Sequence, residues 1–207
     1  MYSIVNHILH KDGKPVAQKA TPNKGGVIKP SCLVMHYTAS SSEAGAISWL
    51  CNPAAKASAH LVLGEGGSVT QLVPFNRRAW HAGPSSWGGR KDVNSFSIGI
   101  EMVNAGMLVK RGDGAWIEAL SKKVVPNKGL VLAAHKNGRT GIVGWDDYPE
   151  TQFMAASEIA RVIVETYKIA DKNLVGHEDV CPSRKTDPGP AFNWNSFRSL
   201  VYGRAGK

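Results

Sequence analysis

The sequence predicts an α/β fold: a single domain with a mixed central β-sheet flanked by helices. Three observations carry this expectation. Residues 33–38 and 96–103 are short apolar runs of β-type side chains. Phe153, Ala156, Ala160, Ile163 and Tyr167 follow one another at spacings of three and four, the stripe of an amphipathic helix. The chain has 207 residues, the length of one domain, and no internal repeat or low-complexity linker divides it. Strands mixed with two or three helices pack as layers around one sheet.

The elements follow in order. Residues 1–30 are polar and rich in Lys, Gly and Pro, and read as an N-terminal extension: an edge strand and an irregular loop. Residues 33–38 form a buried strand. Ser40 and Glu43 have the spacing of a capping box, so a helix is expected to about Cys51, with Ile47 and Leu50 facing inward and a stop near Pro53. Two β-type runs, 60–63 and 68–73, flank a Gly-rich turn and predict a hairpin. Residues 77–92 are turn-rich. After the strand at 96–103, residues 105–150 carry Gly, Lys and Asn turns around an apolar piece at 130–134, with His135 expected at the surface. Asp147 and Pro149 suit the start of the long helix, which ends near Lys168. Residues 173–177 lead into a loop, Pro188-Gly189-Pro190 forbids regular structure, and residues 192–202 predict a short final helix.

Composition narrows the function classes. Hydrophobic residues make up 43% and charged residues 20%, a globular balance. No apolar run approaches the roughly 18 residues of a membrane span, and no basic segment precedes a long apolar one, so no secretory signal is visible and cytoplasmic synthesis is expected. Cys32, Cys51 and Cys181 are an odd number without a CxxC spacing, which argues against a disulfide framework. The net charge of +9 draws the chain toward polyanions without choosing among them. A nucleic-acid partner is not expected, because no finger, helix-turn-helix or RNA-binding signature accompanies the charge. A monomer is expected.

Among the seven histidines, His36 ends a buried strand and His177 follows an apolar Leu-Val-Gly. Asp187 sits in a rigid loop ten residues later. Two imidazoles and a carboxylate on stiff positions form a candidate three-ligand zinc site, whose open fourth position is the catalytic pattern. Taken singly, each histidine reads equally as an ordinary core or surface residue. Glu101 is either an exposed strand-end carboxylate or a proton acceptor held in a cleft. Lys185 is either a surface lysine or an ammonium placed to steady an oxyanion.

Seven segments occur in an order that resembles the zinc-dependent N-acetylmuramoyl-L-alanine amidase family. They are Val34-Met35-His36-Tyr37-Thr38, Ser58-Ala59-His60, Trp80-His81-Ala82-Gly83, Asn94-Ser95-Phe96-Ser97-Ile98-Gly99-Ile100-Glu101, Tyr148-Pro149-Glu150-Thr151-Gln152, Gly176-His177-Glu178-Asp179 and Arg184-Lys185-Thr186-Asp187-Pro188-Gly189-Pro190. The resemblance covers about residues 30–195 and implies a catalytic core at 31–195, within one domain spanning 1–207, with a zinc cleft at one edge of the sheet. It implies Zn2+ held by His36, His177 and Asp187, with Glu101 activating water and Lys185 steadying the oxyanion. Cys181 is a rival third ligand, since some members use cysteine. His60, His81, Trp80 and Asn94 fall on motif positions expected to line the substrate groove. Residues 106–144 and the Lys-rich N-terminus depart from the family pattern.

The implied activity is hydrolysis of the amide joining N-acetylmuramic acid to L-alanine, with peptidoglycan or a muropeptide as partner. A phage-type endolysin is the first expectation, since intact wall polymer is anionic. A cytosolic amidase acting on soluble anhydro-muropeptides is the alternative, and a peptidoglycan-binding protein without catalysis is the third reading.

Overall fold

The computed structural model describes residues 1–126 and 129–203. The N-terminal region is more ordered than its polar composition predicts. Strands β1 (Tyr2–Val5), β2 (Ile8–Lys11) and β3 (Lys14–Pro15) form an antiparallel meander that buries Tyr2 and Leu9 against the main core. Its turns use left-handed backbone at Asn6, His7, Asp12 and Gly13, a conformation that Gly, Asn and Asp adopt most readily. Strand β4 (Ala17–Gln18) then joins the central sheet, and β5 (Lys24–Val27) pairs with a later strand.

Strand β6 (Cys32–Tyr37) is the apolar run that the sequence marks as buried. Helix α1 spans Glu43–Leu50. Its cap is Ser42, not Ser40: Ser42 Oγ accepts the backbone N–H of Gly45, whereas Glu43 is engaged by Ser68 Oγ at 2.7 Å. Ala46 and Leu50 are buried, and Ile47 only partly so. The expected hairpin is β7 (Leu61–Leu63) and β8 (Val69–Gln71), and β9 (Arg77–Ala79) pairs with β5. A small ribbon of β10 (Ser86–Trp87) and β11 (Arg90–Lys91) precedes β12 (Ser97–Met102).

The segment that departs from the family pattern folds as two antiparallel pairs. These are β13 (Leu108–Lys110) with β14 (Trp116–Glu118), and β15 (Leu130–Ala133) with β16 (Val143–Asp146). Helix α2 (Glu150–Tyr167) follows and ends on Lys168 with φ of 55°. Residues 174–176, expected to enter a loop, are instead strand β17 (Leu174–Gly176), followed by the short helix α3 (His177–Val180). Helix α4 (Trp194–Tyr202) closes the described chain.

The central sheet is mixed and six-stranded, in the order β17-β6-β12-β7-β8-β4. β17, β6, β12 and β7 run parallel, and β8 opposes β7. Alternation along a strand sends successive side chains to opposite faces. Leu33, Met35, Ile98, Ile100 and Met102 pack with Ala156, Ile159, Ala160 and Ile163 of α2 and Phe197 of α4. The other face receives Cys32, Val34 and Val175, covered by Ala82, Val93 and Phe96. α2 is pinned to the sheet by Gln152, whose Nε2 donates to the carbonyls of Leu63 (3.0 Å) and Val103 (2.8 Å). Among the described residues no helix is long and apolar enough to cross a membrane.

Candidate metal centre

Period and register together bring the chemistry to one place. His36 continues the Cys32–Val34 face of β6 and is paired in register with Glu101 of the neighbouring parallel strand β12. On the other side of β6, Gly176 of β17 is in register with Met35, so His177 follows at the level of His36. The three residues thus stand at the carboxyl ends of three adjacent parallel strands, where open α/β sheets place their sites. Asp187 reaches them from the following loop. That loop is held by the Asp187 carbonyl accepting Glu178 N–H (2.8 Å) and the Pro188 carbonyl accepting Tyr148 O–H (2.8 Å). Tyr37 Oη and Thr186 Oγ1 share a further hydrogen bond of 2.8 Å.

His36 Nδ1 lies 3.0 Å from His177 Nδ1 and 2.9 Å from Asp187 Oδ2, and His177 Nδ1 lies 3.0 Å from the same oxygen. All three side chains are buried. His177 Nε2 faces the Ala82 carbonyl at 3.0 Å, and a carbonyl only accepts, so the hydrogen of a neutral His177 sits on Nε2 and its Nδ1 is a bare lone pair. Burial and the neighbouring His177 hold the His36 pKa down at about 4 despite Asp187, so this ring is neutral at neutral pH. Burial alone would raise Asp187, but the two imidazoles beside it outweigh that and hold its carboxyl below the ordinary range.

Electron-rich atoms converging this closely call for a cation among them. Four-coordinate zinc with bonds of about 2.0 Å keeps its donors roughly 3.3 Å apart, close to the spacing here. The donor set of two imidazoles and one carboxylate therefore fits zinc. Cys181 is buried but takes no place in this group, the one group of metal-capable donors found among the described residues.

The donors open onto a cleft of about 430 Å³, which Tyr37, Trp49, Trp80, Glu101, Arg184 and Lys185 help to line. Glu101 is half-buried, and its Oε2 is sealed from solvent without a hydrogen-bond partner. Burial, with the Asp187 charge added, drives its pKa well above the ordinary carboxylate value, and Lys185 opposes the shift. Trp49, not foreseen from sequence, is 60% exposed and stands with Trp80 on the cleft wall.

Three of the residues expected in the groove have other work. His60 is fully buried: its Nε2 meets the Arg77 carbonyl (2.9 Å) and its Nδ1 accepts Gly99 N–H (3.0 Å), so no ring nitrogen remains for substrate. Asn94 lies away from the cleft, its Oδ1 accepting the backbone N–H groups of His81 (3.1 Å) and Ala82 (2.8 Å). His81 borders the cleft, yet both its ring nitrogens are engaged, by His36 and Ser97. His135, expected at the surface, is 3% exposed because its Nε2 meets Glu178 Oε2 at 2.6 Å. Lys136 bridges Glu178 and Asp179 at 2.7 Å each. On the opposite flank Glu118 accepts Ser41 Oγ–H at 2.5 Å. The 105–147 segment is thereby latched to both α3 and the start of α1.

The family model described as N-acetylmuramoyl-L-alanine amidase matches residues 27–190. The chain belongs to this amidase family. The chain is 34% identical over 146 residues to the 1,6-anhydro-N-acetylmuramyl-L-alanine amidase AmpD of Escherichia coli. That match covers 70% of this chain and 59% of AmpD, so it spans less than two thirds of that relative. The E. coli amidase AmiD was solved with anhydro-N-acetylmuramic acid-L-Ala-D-γ-Glu-L-Lys. It superposes with a TM-score of 0.63 at 28% identity, covering 96% of this chain and 65% of AmiD. A mutant endolysin from Bacillus subtilis superposes with a TM-score of 0.57 at 21% identity, covering 90% and 97% of the two chains, a likeness of fold alone.

Proposed function

We propose that this chain hydrolyses the amide bond between N-acetylmuramic acid and L-alanine, and that its substrates are soluble 1,6-anhydro-muropeptides. The observation that carries the reading is the meeting of His36 Nδ1, His177 Nδ1 and Asp187 Oδ2 beside Glu101 in an open cleft. The anhydro sugar is named both for AmpD and for the ligand of AmiD, and this supports the finer choice. The wall-lysin reading, favoured by the +9 charge, draws from the endolysin a similarity of fold only. A pure binding role is disfavoured because all three donor positions are filled.

His36, His177 and Asp187 would hold zinc, which when bound would supply Lewis acidity for activating water and polarising the scissile carbonyl. Glu101, whose carboxyl group lines the cleft, accepts the proton of the attacking water and returns it to the departing amine of L-alanine. The Lys185 ammonium offsets the negative charge that grows on the carbonyl oxygen. Trp49 and Trp80 give the sugar and peptide apolar walls to lie against.

The test is mass spectrometry of products from two substrates, a purified anhydro-muropeptide and isolated sacculi. Rapid release of alanine-terminated peptide from the soluble fragment, with slow release from sacculi, is expected. The reverse preference would overturn the soluble-substrate choice. No alanine-terminated product from either would overturn the amidase reading itself.

A further inference from the structure

The metal centre uses the inner ring nitrogens of His36 and His177; their outer nitrogens are held by a separate unit. His36 Nε2 lies 3.0 Å from His81 Nδ1, and His81 Nε2 lies 3.0 Å from Ser97 Oγ. The Ser97 hydroxyl is already committed, donating to the Val93 carbonyl at 2.7 Å. A hydroxyl has one hydrogen, so Ser97 Oγ can only accept from His81, and His81 Nε2 carries the hydrogen. A neutral imidazole has one N–H, so His81 Nδ1 is an acceptor. The hydrogen on His36 must then sit on Nε2, pointing at His81, and His36 Nδ1 is left as a lone pair toward the donor group. The polarity is set at the Val93 carbonyl and runs one way to the metal-facing atom.

Water cannot take the place of these partners: His36 is 1%, His81 8% and Ser97 0% exposed. The residue after His81 serves the other imidazole, since the Ala82 carbonyl faces His177 Nε2. Asn94 Oδ1 grips both backbone N–H groups of this dipeptide, so one carboxamide places a side-chain acceptor for His36 and a carbonyl for His177.

We infer that His81 is a positioning residue of the metal centre: it locks His36 in the Nε2–H tautomer, with Ser97 and the Val93 carbonyl fixing the tautomer of His81 in turn. Outer partners of ligating histidines orient the ring and raise its basicity, and losing one typically weakens metal binding about 10–100-fold. The inference rests on the metal reading above, but the tautomer is measurable without substrate or turnover.

The experiment is long-range 1H–15N correlation on the full chain with 15N-labelled histidine, with and without one equivalent of Zn2+, together with chelator competition for Zn2+ affinity. The metal-free protein is expected to show His36 and His81 both protonated on Nε2, with His36 Nδ1 shifting on zinc addition. His81→Asn, whose Oδ1 replaces the Nδ1 acceptor, keeps affinity near the parent's. His81→Leu, which fills space without an acceptor, weakens it about 10–100-fold. Ser97→Ala touches no ligand; it releases the His81 tautomer and gives a smaller loss, and it carries the test with the parent spectrum if a His81 variant does not fold. Protonation of His36 on Nδ1, a His81→Leu variant as tight as the parent, or His81→Asn as weak as His81→Leu would each overturn the inference. Absent amidase activity with these tautomers intact would count against the proposed function and leave this inference standing.

Discussion

The imidazole of His81 occupies the space that Gly99 leaves empty: a Cβ at Gly99 would come 2.5 Å from His81 Cγ and 2.6 Å from its Nδ1. Glycine weakens a strand interior, and its use there often marks a close approach of another group. Gly99→Ala should therefore push the His81 ring out of line with His36, at a cost of about 1–3 kcal/mol from overpacking. Thermal melting and Zn2+ competition on this variant should show a lowered Tm and weaker metal binding. Unchanged affinity would mean that the His81 ring does not need its present place.

Glu101 and His177 flank His36 on the strands to either side of it but should fail differently. Glu101→Gln leaves all three donors in place, so zinc content stays at the parent level while turnover falls by about 100-fold or more, the usual worth of a general base. His177→Ala removes a donor, and both zinc and turnover are lost. Elemental analysis and product release on the same samples check the split. A Glu101→Gln variant with parental turnover would remove Glu101 from the mechanism.

The raised pKa of Glu101 also has a sign in stability. In the metal-free chain the folded state holds this proton more tightly than the unfolded state, whose pKa is about 4.3. Stability from this group is therefore greatest below that value and declines as pH rises toward the folded pKa. Glu101→Gln escapes the decline. Metal-free melts should coincide for the two proteins near pH 4, with the variant becoming the more stable toward neutral pH. A variant less stable than the parent at pH 7 would contradict the buried, partnerless state of Oε2.

The latch between the 105–147 segment and α3 should matter for the donor that begins that helix. His135→Ala strips Glu178 Oε2 of its partner and leaves the carboxylate with Lys136 alone. Leaving a buried polar atom without its hydrogen bond costs about 1–3 kcal/mol. Denaturant unfolding should register the loss, and Zn2+ affinity should fall with it. Parental stability would make the segment a surface addition after all.

Much of the fold was readable because its signals are local. The stripe from Phe153 to Tyr167 and the apolar runs of β6 and β12 are long enough for periodicity to declare them. Strand β17 was not, since three residues of Leu-Val-Gly carry no period of their own and become a strand only by pairing with β6. The cap of α1 went to Ser42 because three adjacent serines offer rival oxygens, and which one meets a free N–H depends on where the chain leaves β6. The residues that meet here, His36, His177 and Asp187, were readable as candidate donors from ordered motifs. The work of His81, Asn94 and His135 was not, because each is defined by partners far along the chain. Gly99 was the one local hint, a strand residue without a side chain where a ring had to fit.

His36 Nδ1, His177 Nδ1 and Asp187 Oδ2 are proposed to share one metal ion. Anomalous diffraction at the zinc edge, from crystals grown with one equivalent of zinc, tests it most directly. One peak is expected about 2.0–2.2 Å from those three atoms. No peak there, or a peak held by other side chains such as Cys181, would contradict it.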